Sequence, residues 1–223
     1  MVTEKVFWTD PYRTELIAMV TSVDGNTVTL DKTIFFAFSG GQESDTGTIH
    51  GFAVRKAEKE GKNIHYTVDP SHDLRPGDEV IVEIDWARRY RLMRLHFAAE
   101  IILELVTRQF NRPEKIGAHI GEDKARVDFV WEGNITRIFP LLEQKARELI
   151  DADQPITSAF SDEDSERRYW EIEGFGKVSC GGTHLRRTGE IGPITLKRNN
   201  IGKGKERIEL YLTTEGVKFA LDS

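Results

Sequence analysis

Two pairs of residues that can bind a metal ion occur in this sequence, each with a four-residue spacing. His96 and Glu100 fall in a helical pattern, so their side chains would lie one turn apart on the same face of a helix. Cys180 and His184 have the same spacing, and the two glycines between them would let the backbone turn and bring thiolate and imidazole together. Since zinc takes sulfur, imidazole and carboxylate ligands in proteins, the sequence predicts one zinc ion per chain, bound by these four residues.

Each pair also has an ordinary interpretation. A helical His-x-x-x-Glu pair is often only a surface contact, and a Cys-x-x-x-His pair can arise by chance. Their occurrence together, in a chain with a single cysteine, favours a metal site. A catalytic zinc ion keeps one coordination position open for water or substrate. Because Glu100 is the least secure ligand, an open site with three ligands and a closed site with four both fit the sequence.

A long helix must position the first pair. Residues 87–110 contain neither glycine nor proline and are rich in alanine, leucine, arginine and glutamate, which predicts a single helix. Before it, residues 14–85 alternate short apolar runs with turn residues such as Asp24-Gly25-Asn26 and Glu60-Gly61-Lys62. This pattern predicts an N-terminal unit, residues 1–86, with five or six strands in a small β-barrel.

The second unit, residues 87–223, is predicted to be an α+β domain. Residues 125–132 alternate as a strand, and Asn134 is the expected N-cap of a helix that runs to about Asp151, with Pro140 starting, kinking or interrupting it. Residues 169–180, 191–198 and 206–213 are predicted strands, the last two joined by a hairpin loop. The fold class is therefore α+β, with a small N-terminal β-barrel followed by helices packed on one face of a largely antiparallel sheet.

The composition is typical of a water-soluble globular protein. Hydrophobic residues make up 39% and charged residues 30% of the 223 residues, the mean hydropathy is -0.44, and no window approaches a membrane span. The first residues do not resemble a signal peptide, so we expect a cytoplasmic protein. The formal net charge of -6 argues against broad, non-specific attraction to the nucleic-acid backbone.

The sequence does not indicate an oligomeric state.

Basic residues nevertheless cluster in three places. Two of the clusters adjoin the predicted metal site in sequence, which is where phosphate anchors for a nucleic-acid end would be needed. Solvated surface charge is the alternative for each cluster. The clusters are Arg88, Arg89, Arg91 and Arg94; Arg186 and Arg187; and Lys197, Arg198, Lys203, Lys205 and Arg207.

A glycine-rich stretch, residues 38–42, lies in the N-terminal unit. It has neither the glycine spacing of a dinucleotide fingerprint nor the Lys-Ser/Thr ending of a P-loop. A simple turn between two strands is one interpretation. The other is a loop whose backbone approaches a ligand closely, with Gln42 offering both a donor and an acceptor.

Several of these motifs resemble those of a known family. The run from Cys180 to His184, followed by Thr188-Gly189-Glu190-Ile191-Gly192, is similar to the signature of the second additional domain of alanyl- and threonyl-tRNA synthetases. Residues 31–36, Gly40-Gly41-Gln42 and residues 45–49 resemble the glycine-rich motif of alanyl-tRNA synthetase editing regions. The order of the motifs resembles free-standing alanyl-tRNA editing proteins of the AlaX type, in their medium-length form.

The resemblance implies hydrolysis of the ester in mischarged tRNA(Ala), either Ser-tRNA(Ala) or Gly-tRNA(Ala). It implies that His96, Cys180 and His184 bind the metal and that Thr33 selects the serine hydroxyl. Glu100 stands where the family has a second histidine, and residues 37–39, Ala-Phe-Ser, stand where Pro-Glu-Gly is usual. The candidate catalytic residues are thus Thr33, Gln42 and Glu100, and the candidate substrate-binding residues are Gly40, Gly41, Arg94, Thr183 and Arg186.

An aminoacyl ester needs an attacking water molecule and stabilisation of the developing oxyanion. Zinc could lower the pKa of that water, polarise the carbonyl or only position the substrate. The main prediction is a zinc-dependent hydrolase with tRNA as its partner. Glu100 and the altered loop leave open two alternatives: a hydrolase of another aminoacyl-tRNA, or a domain that binds tRNA or a protein partner and has lost turnover.

Overall fold

Antiparallel strands dominate the computed structural model, which describes residues 2–213. The chain divides into two compact units, Met1–Leu92 and Met93–Ser223. The division falls a few residues beyond the predicted boundary at residues 86 and 87, because the first turns of the long helix belong to the N-terminal unit. No helix in the described part of the chain combines the length and apolarity needed to span a bilayer.

Six strands of the N-terminal unit pair antiparallel in a ring, and this ring forms a closed barrel in the order β2-β3-β7-β6-β5-β8. Strands β1 and β4 form a separate parallel pair. The elements in chain order are β1 (Glu4–Lys5), α1 (Val6–Thr9), β2 (Glu15–Asp24), β3 (Thr27–Leu30), β4 (Lys32–Thr33), β5 (Gly47–Ile49), β6 (Phe52–Glu60), β7 (Asn63–Val68) and β8 (Glu79–Ile84).

Alternating side chains fill the interior of this ring. In β8 the sequence EVIVEI alternates exposed and buried positions without a break, as expected for a strand with one face on the core. The two predicted hairpins are confirmed, because Asp24 pairs with Thr27 and Glu60 pairs with Asn63. The core of the unit is apolar and includes Leu16, Val28, Ile49, Tyr66 and Val82.

Helix α2 (Trp86–Gln109) confirms the predicted long helix to within one residue at each end. Its first turns are joined to the N-terminal unit by Arg89, whose guanidinium is fully buried. The Nε atom donates to Asp45 at 2.8 Å, and the terminal nitrogens donate to Asp45 and to the carbonyls of Ile34 and Pro11. A buried charge is tolerated only when paired and hydrogen-bonded in this way.

The C-terminal unit contains a four-stranded antiparallel sheet in the order β14-β15-β10-β9 and a three-stranded sheet in the order β11-β12-β13. The predicted α+β class with antiparallel sheets is confirmed. The elements are β9 (Lys115–Ile120), β10 (Ala125–Val130), α3 (Phe139–Asp151), β11 (Thr157–Asp162), β12 (Arg167–Ile172), β13 (Gly176–Ser179), β14 (Ile194–Gly202) and β15 (Lys205–Leu212), with 3₁₀ turns at Ile135–Ile138 and Thr188–Ile191.

Two local predictions in this unit are corrected. The single strand predicted over residues 169–180 is two strands, because Gly174 has φ +72° and closes a turn between β12 and β13. Asn134 accepts a hydrogen bond from the Thr136 amide at 2.9 Å, but it caps the 3₁₀ turn, and α3 begins only at Phe139. Pro140 lies in the first turn of α3, where its missing N–H costs nothing.

Candidate metal centre

Three of the four predicted metal ligands come together in the C-terminal unit. The ligand atoms of His96, Cys180 and His184 all lie within 4.8 Å of one another. His96 is carried by α2, whereas Cys180 and His184 lie in the loop that follows β13. The His96 Nε2 atom lies 3.2 Å from the Cys180 Sγ atom. The centres of the His96 and His184 rings are 5.4 Å apart. We refer to these three residues as the ligand cluster.

Burial keeps both imidazoles of the ligand cluster neutral. His96 and His184 are 4% and 3% exposed, and this burial lowers the pKa of each ring. The positive charge of Arg168, and that of His96 whenever its ring is protonated, lowers the pKa of His184 further. Burial also raises the pKa of the Cys180 thiol, and the Glu100 carboxylate adds to that effect. Neutral imidazoles are the form that binds metal ions, while the thiol would release its proton on binding.

The nitrogens of His184 have different surroundings. Nδ1 lies 2.8 Å from the Ser158 hydroxyl, whereas no hydrogen-bond partner within residues 2–213 reaches the buried Nε2. A buried polar atom without a partner is costly. Nδ1 can donate to Ser158, and the lone pair of Nε2 then faces the ligand cluster. Together with a thiol and a second imidazole, this nitrogen fits a zinc ion, which takes such donors at about 2.0–2.3 Å.

Glu100 lies near the ligand cluster without joining it. Its Oε2 atom accepts a hydrogen bond from the Trp170 indole at 2.9 Å, and the group of ligand atoms found among the described residues does not include it. Trp170 is fully buried, so its N–H requires an acceptor. The carboxylate still acts through its charge, because it raises the pKa of His96 against the larger effect of burial.

The three-stranded sheet supplies the residues behind the ligand cluster. Ser158 pairs directly with Trp170, and Phe160 pairs with Arg168. Since directly paired residues point to the same face of a sheet, these four side chains share one face. The buried Arg168 donates to the Gly182 carbonyl at 3.3 Å. Its pKa is lowered to about 10 by burial, although Cys180 opposes this.

Sequence reasoning missed Ser158, Arg168 and Trp170. Their positions relative to the ligands depend on the register of β11 against β12, which the sequence did not reveal. The segment TSAFSD neither alternates in polarity nor alternates in burial, so it carried no signal that could have drawn attention to Ser158.

The candidate residues of the N-terminal unit occupy buried positions. Thr33 is fully buried, and its Oγ1 atom accepts hydrogen bonds from the Tyr66 hydroxyl at 2.7 Å and the Phe35 amide at 3.0 Å. Gln42 is also fully buried. Its backbone forms reciprocal hydrogen bonds with Ser39. Residues 39–42 thus form a tight turn, closed by an isolated bridge and not lying between two strands as predicted.

Gly40 and Gly41 form the two central positions of this turn. Their φ angles are +61° and +89°, a conformation that side chains of other residues rarely adopt. The geometry matches the tight two-residue turns that join antiparallel strands. Glycine is therefore required here by the turn itself, whatever further contact the loop makes with a substrate.

The other candidate substrate-binding residues have clear structural roles. Arg94 is buried and donates from Nε to the Ile191 carbonyl at 2.9 Å. Thr183 is buried in the turn between Cys180 and His184. Arg186 is exposed, and its amide donates to Glu190 at 3.0 Å.

Carboxylates pair with five of the eleven basic residues in the three predicted clusters. All five are arginines that contact an acidic side chain within their own unit, so each cluster is partly neutralised. The pairs are Arg88 with Glu43, Arg89 with Asp45, Arg187 with Asp153, Arg198 with Glu206, and Arg207 with Asp128.

Two family models match this chain. Residues 4–88 match the model for class II (A) tRNA synthetases. Residues 171–209 match the model for the threonyl and alanyl tRNA synthetase second additional domain. The second match includes Cys180 and His184, and the first includes Thr33 and the glycine-rich turn. Both parts of the chain are therefore related to tRNA synthetase modules.

Whole-chain similarity points to a smaller group. The alanyl-tRNA editing protein AlaX-M of Pyrococcus horikoshii is 31% identical, over 95% of this chain and 98% of its own length. AlaX-M of Methanosarcina acetivorans is 34% identical, over 95% and 99%. The alanine–tRNA ligase of Methanococcus maripaludis is 32% identical over 96% of this chain, but over only 26% of the ligase. Since the match to the AlaX-M proteins spans both chains, this chain belongs to the alanyl-tRNA editing protein family.

Proposed function

We propose that this protein hydrolyses the ester bond of mischarged tRNA(Ala), releasing serine or glycine, with one zinc ion held by His96, Cys180 and His184. The convergence of two buried imidazoles and a thiol is the observation that carries the proposal. Family membership supports the substrate class. We assign residues 1–86 to selection of the amino acid and residues 87–223 to the editing reaction, and we expect the protein to act in the cytoplasm.

The reaction needs a base as well as an electrophile. A bound zinc ion supplies a Lewis acid for the ester carbonyl. Glu100 supplies the base: Trp170 holds one of its oxygens, and the other accepts a proton from the attacking water. The water oxygen bonds to the acyl carbon, the bond from that carbon to the ribose oxygen breaks, and the ribose oxygen takes the proton back from Glu100. The products are the free amino acid and uncharged tRNA.

Selectivity for serine follows from the hydrogen bonds of Thr33. Both lone pairs of its hydroxyl are engaged by donors from Tyr66 and Phe35. Its own proton therefore remains to be donated to the serine hydroxyl. Alanine has no such group, so the interaction rejects the correct amino acid. Glycine differs from alanine by one methyl group, and size alone can separate the two by only about 1–3 kcal/mol.

Gln42 and the turn glycines Gly40 and Gly41 complete the proposed selection region of the N-terminal unit. The Gln42 amide has both a donor and an acceptor for the amino acid. We also assign Arg94, Thr183 and Arg186 to substrate binding. Thr183 is buried between Cys180 and His184, and Arg94 is held by the Ile191 carbonyl.

A deacylation assay, run with and without a chelator, tests the proposal. We expect the protein to deacylate Ser-tRNA(Ala) and Gly-tRNA(Ala) but to spare Ala-tRNA(Ala), with activity lost on chelation and restored by zinc. Cys180→Ala should remove bound zinc and activity together. The positive control is an AlaX-M protein that deacylates these substrates. If this protein deacylated none of the mischarged tRNAs at the same concentration, the proposal would be refuted.

The Glu100 position favours a second candidate. Because the family's second histidine is replaced here, the domain could act on another aminoacyl-tRNA or bind tRNA without turnover. A panel of aminoacyl-tRNAs separates these cases. Deacylation of a different species supports the first, and tight tRNA binding with no deacylation supports the second.

A further inference from the structure

A groove of about 800 Å³ lies in the C-terminal unit, between the C-terminal end of α2 and strand β13. Its lining contains three cationic side chains, other polar residues and one apolar residue, Val178. We define the basic groove by the residues Glu104, Thr107, Arg108, Arg112, Lys177 and Ser179.

The charge of the basic groove is only partly neutralised. Glu104 is its single carboxylate among these residues and contacts Arg108 at 2.5 Å. Lys177 contacts Glu171 at 3.4 Å, but the two side chains are 56% and 44% exposed, so the pair is weak. No carboxylate within residues 2–213 contacts Arg112. This local excess of positive charge stands out in a chain whose net charge is -6.

Arg112, which lines this groove, has an unusual backbone conformation. Asn111 and Arg112 have φ angles of +54° and +52°. Asparagine tolerates this left-handed conformation, whereas a long side chain such as arginine rarely adopts it.

Both walls of the groove lead to the ligand cluster. Strand β13 ends at Ser179, and the next residue is Cys180. On the other wall, Glu104 lies eight residues beyond His96 on the same helix face, a distance of about 12 Å along the axis. A short single-stranded stretch of nucleic acid lying in the groove would therefore end at the ligand cluster.

Aromatic rings lie beneath two of the cations. The Arg108 guanidinium is 5.1 Å from the centre of the Phe175 ring, and the Lys177 ammonium is 3.7 Å from the centre of the Tyr169 ring. These rings hold the two cations in place, and a positively charged groove is the usual path for the backbone of single-stranded nucleic acid. Arg108 would also stabilise the helix C-terminus through its charge, but that does not explain Lys177, which lies on a strand.

We propose that the basic groove binds the single-stranded 3′ end of the tRNA and holds its phosphates while the terminal ester reaches the ligand cluster. This rests on the proposed function for the identity of the nucleic acid. Arg112 and Lys177 contact phosphates. The hydroxyls of Thr107 and Ser179 donate to the Leu103 and Arg168 carbonyls, so their oxygens accept hydrogen bonds from sugar hydroxyls.

Binding of uncharged tRNA, measured by fluorescence anisotropy over a range of salt concentrations, tests this without turnover. The variant is Arg112→Gln/Lys177→Gln, and the matched control is Arg137→Gln/Lys203→Gln, which removes one exposed arginine and one exposed lysine elsewhere in the unit. We expect the groove variant to bind intact tRNA more weakly. The slope of log affinity against log salt should fall by about 0.7 for each lost phosphate contact.

A tRNA trimmed of its single-stranded 3′ nucleotides locates the contact. Wild type and groove variant should bind it equally, with zinc content and circular dichroism unchanged between them. Unchanged affinity and slope on intact tRNA would overturn the proposal, as would equal weakening on the trimmed tRNA. If the binding results hold while no aminoacyl-tRNA is deacylated, the groove assignment stands and the proposed hydrolysis fails.

Discussion

At the scale of single residues, the contact between Ser158 and His184 controls which imidazole nitrogen is available to a metal ion. Ser158→Ala removes the partner of Nδ1, so the ring can rotate or exchange tautomers. We expect zinc affinity to fall about 10- to 100-fold, measured by competition with a chromophoric chelator. Ser158→Thr should keep most of the affinity, because the hydroxyl remains.

The matched control is Ser161→Ala on the same strand, whose hydroxyl contacts the Arg167 carbonyl at 3.2 Å and no ligand. It should bind zinc as the wild type does. If Ser158→Ala also bound zinc with wild-type affinity, Ser158 would have no positioning role.

Glu100 can be tested as a base separately from a role as a ligand. Glu100→Gln keeps an oxygen for the Trp170 indole but cannot accept a proton. We expect kcat for deacylation to fall about 10²- to 10⁴-fold while zinc content stays at the wild-type level. Glu132→Gln, at an exposed position of the same unit, is the control. Lost zinc in the Glu100→Gln protein would show instead that the carboxylate is a fourth ligand.

At the scale of elements, the buried pair between Arg89 and Asp45 attaches the first turns of α2 to the N-terminal unit. Asp45→Asn leaves the guanidinium buried without its counter-charge. We expect the free energy of unfolding to fall by about 3–5 kcal/mol, measured by denaturant titration of the full chain. Glu43→Gln breaks the partly exposed pair with Arg88 and should cost no more than about 1 kcal/mol. Equal losses in the two variants would contradict this ranking.

Several elements were predictable because their signals are local. The absence of glycine and proline over 87–110 predicted α2, and alternation predicted β8 and the two hairpins of the N-terminal unit. The region 169–180 was mistaken for one strand because its turn is short and flanked by strand-forming residues. Strand β11 was not singled out, since its burial does not alternate and four of its six residues are exposed.

At the scale of the whole molecule, metal binding should contribute to stability because the ligands come from segments far apart in the chain. With free zinc at 100 times its dissociation constant, zinc binding raises the free energy of unfolding by about 2.7 kcal/mol. We therefore expect chelation to lower the Tm by roughly 5–10 °C, measured by thermal unfolding with circular dichroism. Cys180→Ser should show no zinc-dependent shift. If the Tm of the wild type were the same with zinc and with chelator, that would argue against a metal at the ligand cluster.

The sequence by itself determined the α+β class, the long helix, the ligand types and their spacing, because these follow from local periodicity and from a single cysteine in a distinctive motif. Only the tertiary structure decided that Glu100 bonds to Trp170, that Ser158 contacts His184, and that five of the eleven residues in the basic clusters are paired with carboxylates. Those outcomes depend on strand register and on packing between distant segments. His96, Cys180 and His184 were therefore identifiable from the sequence, while the residues that orient them were not.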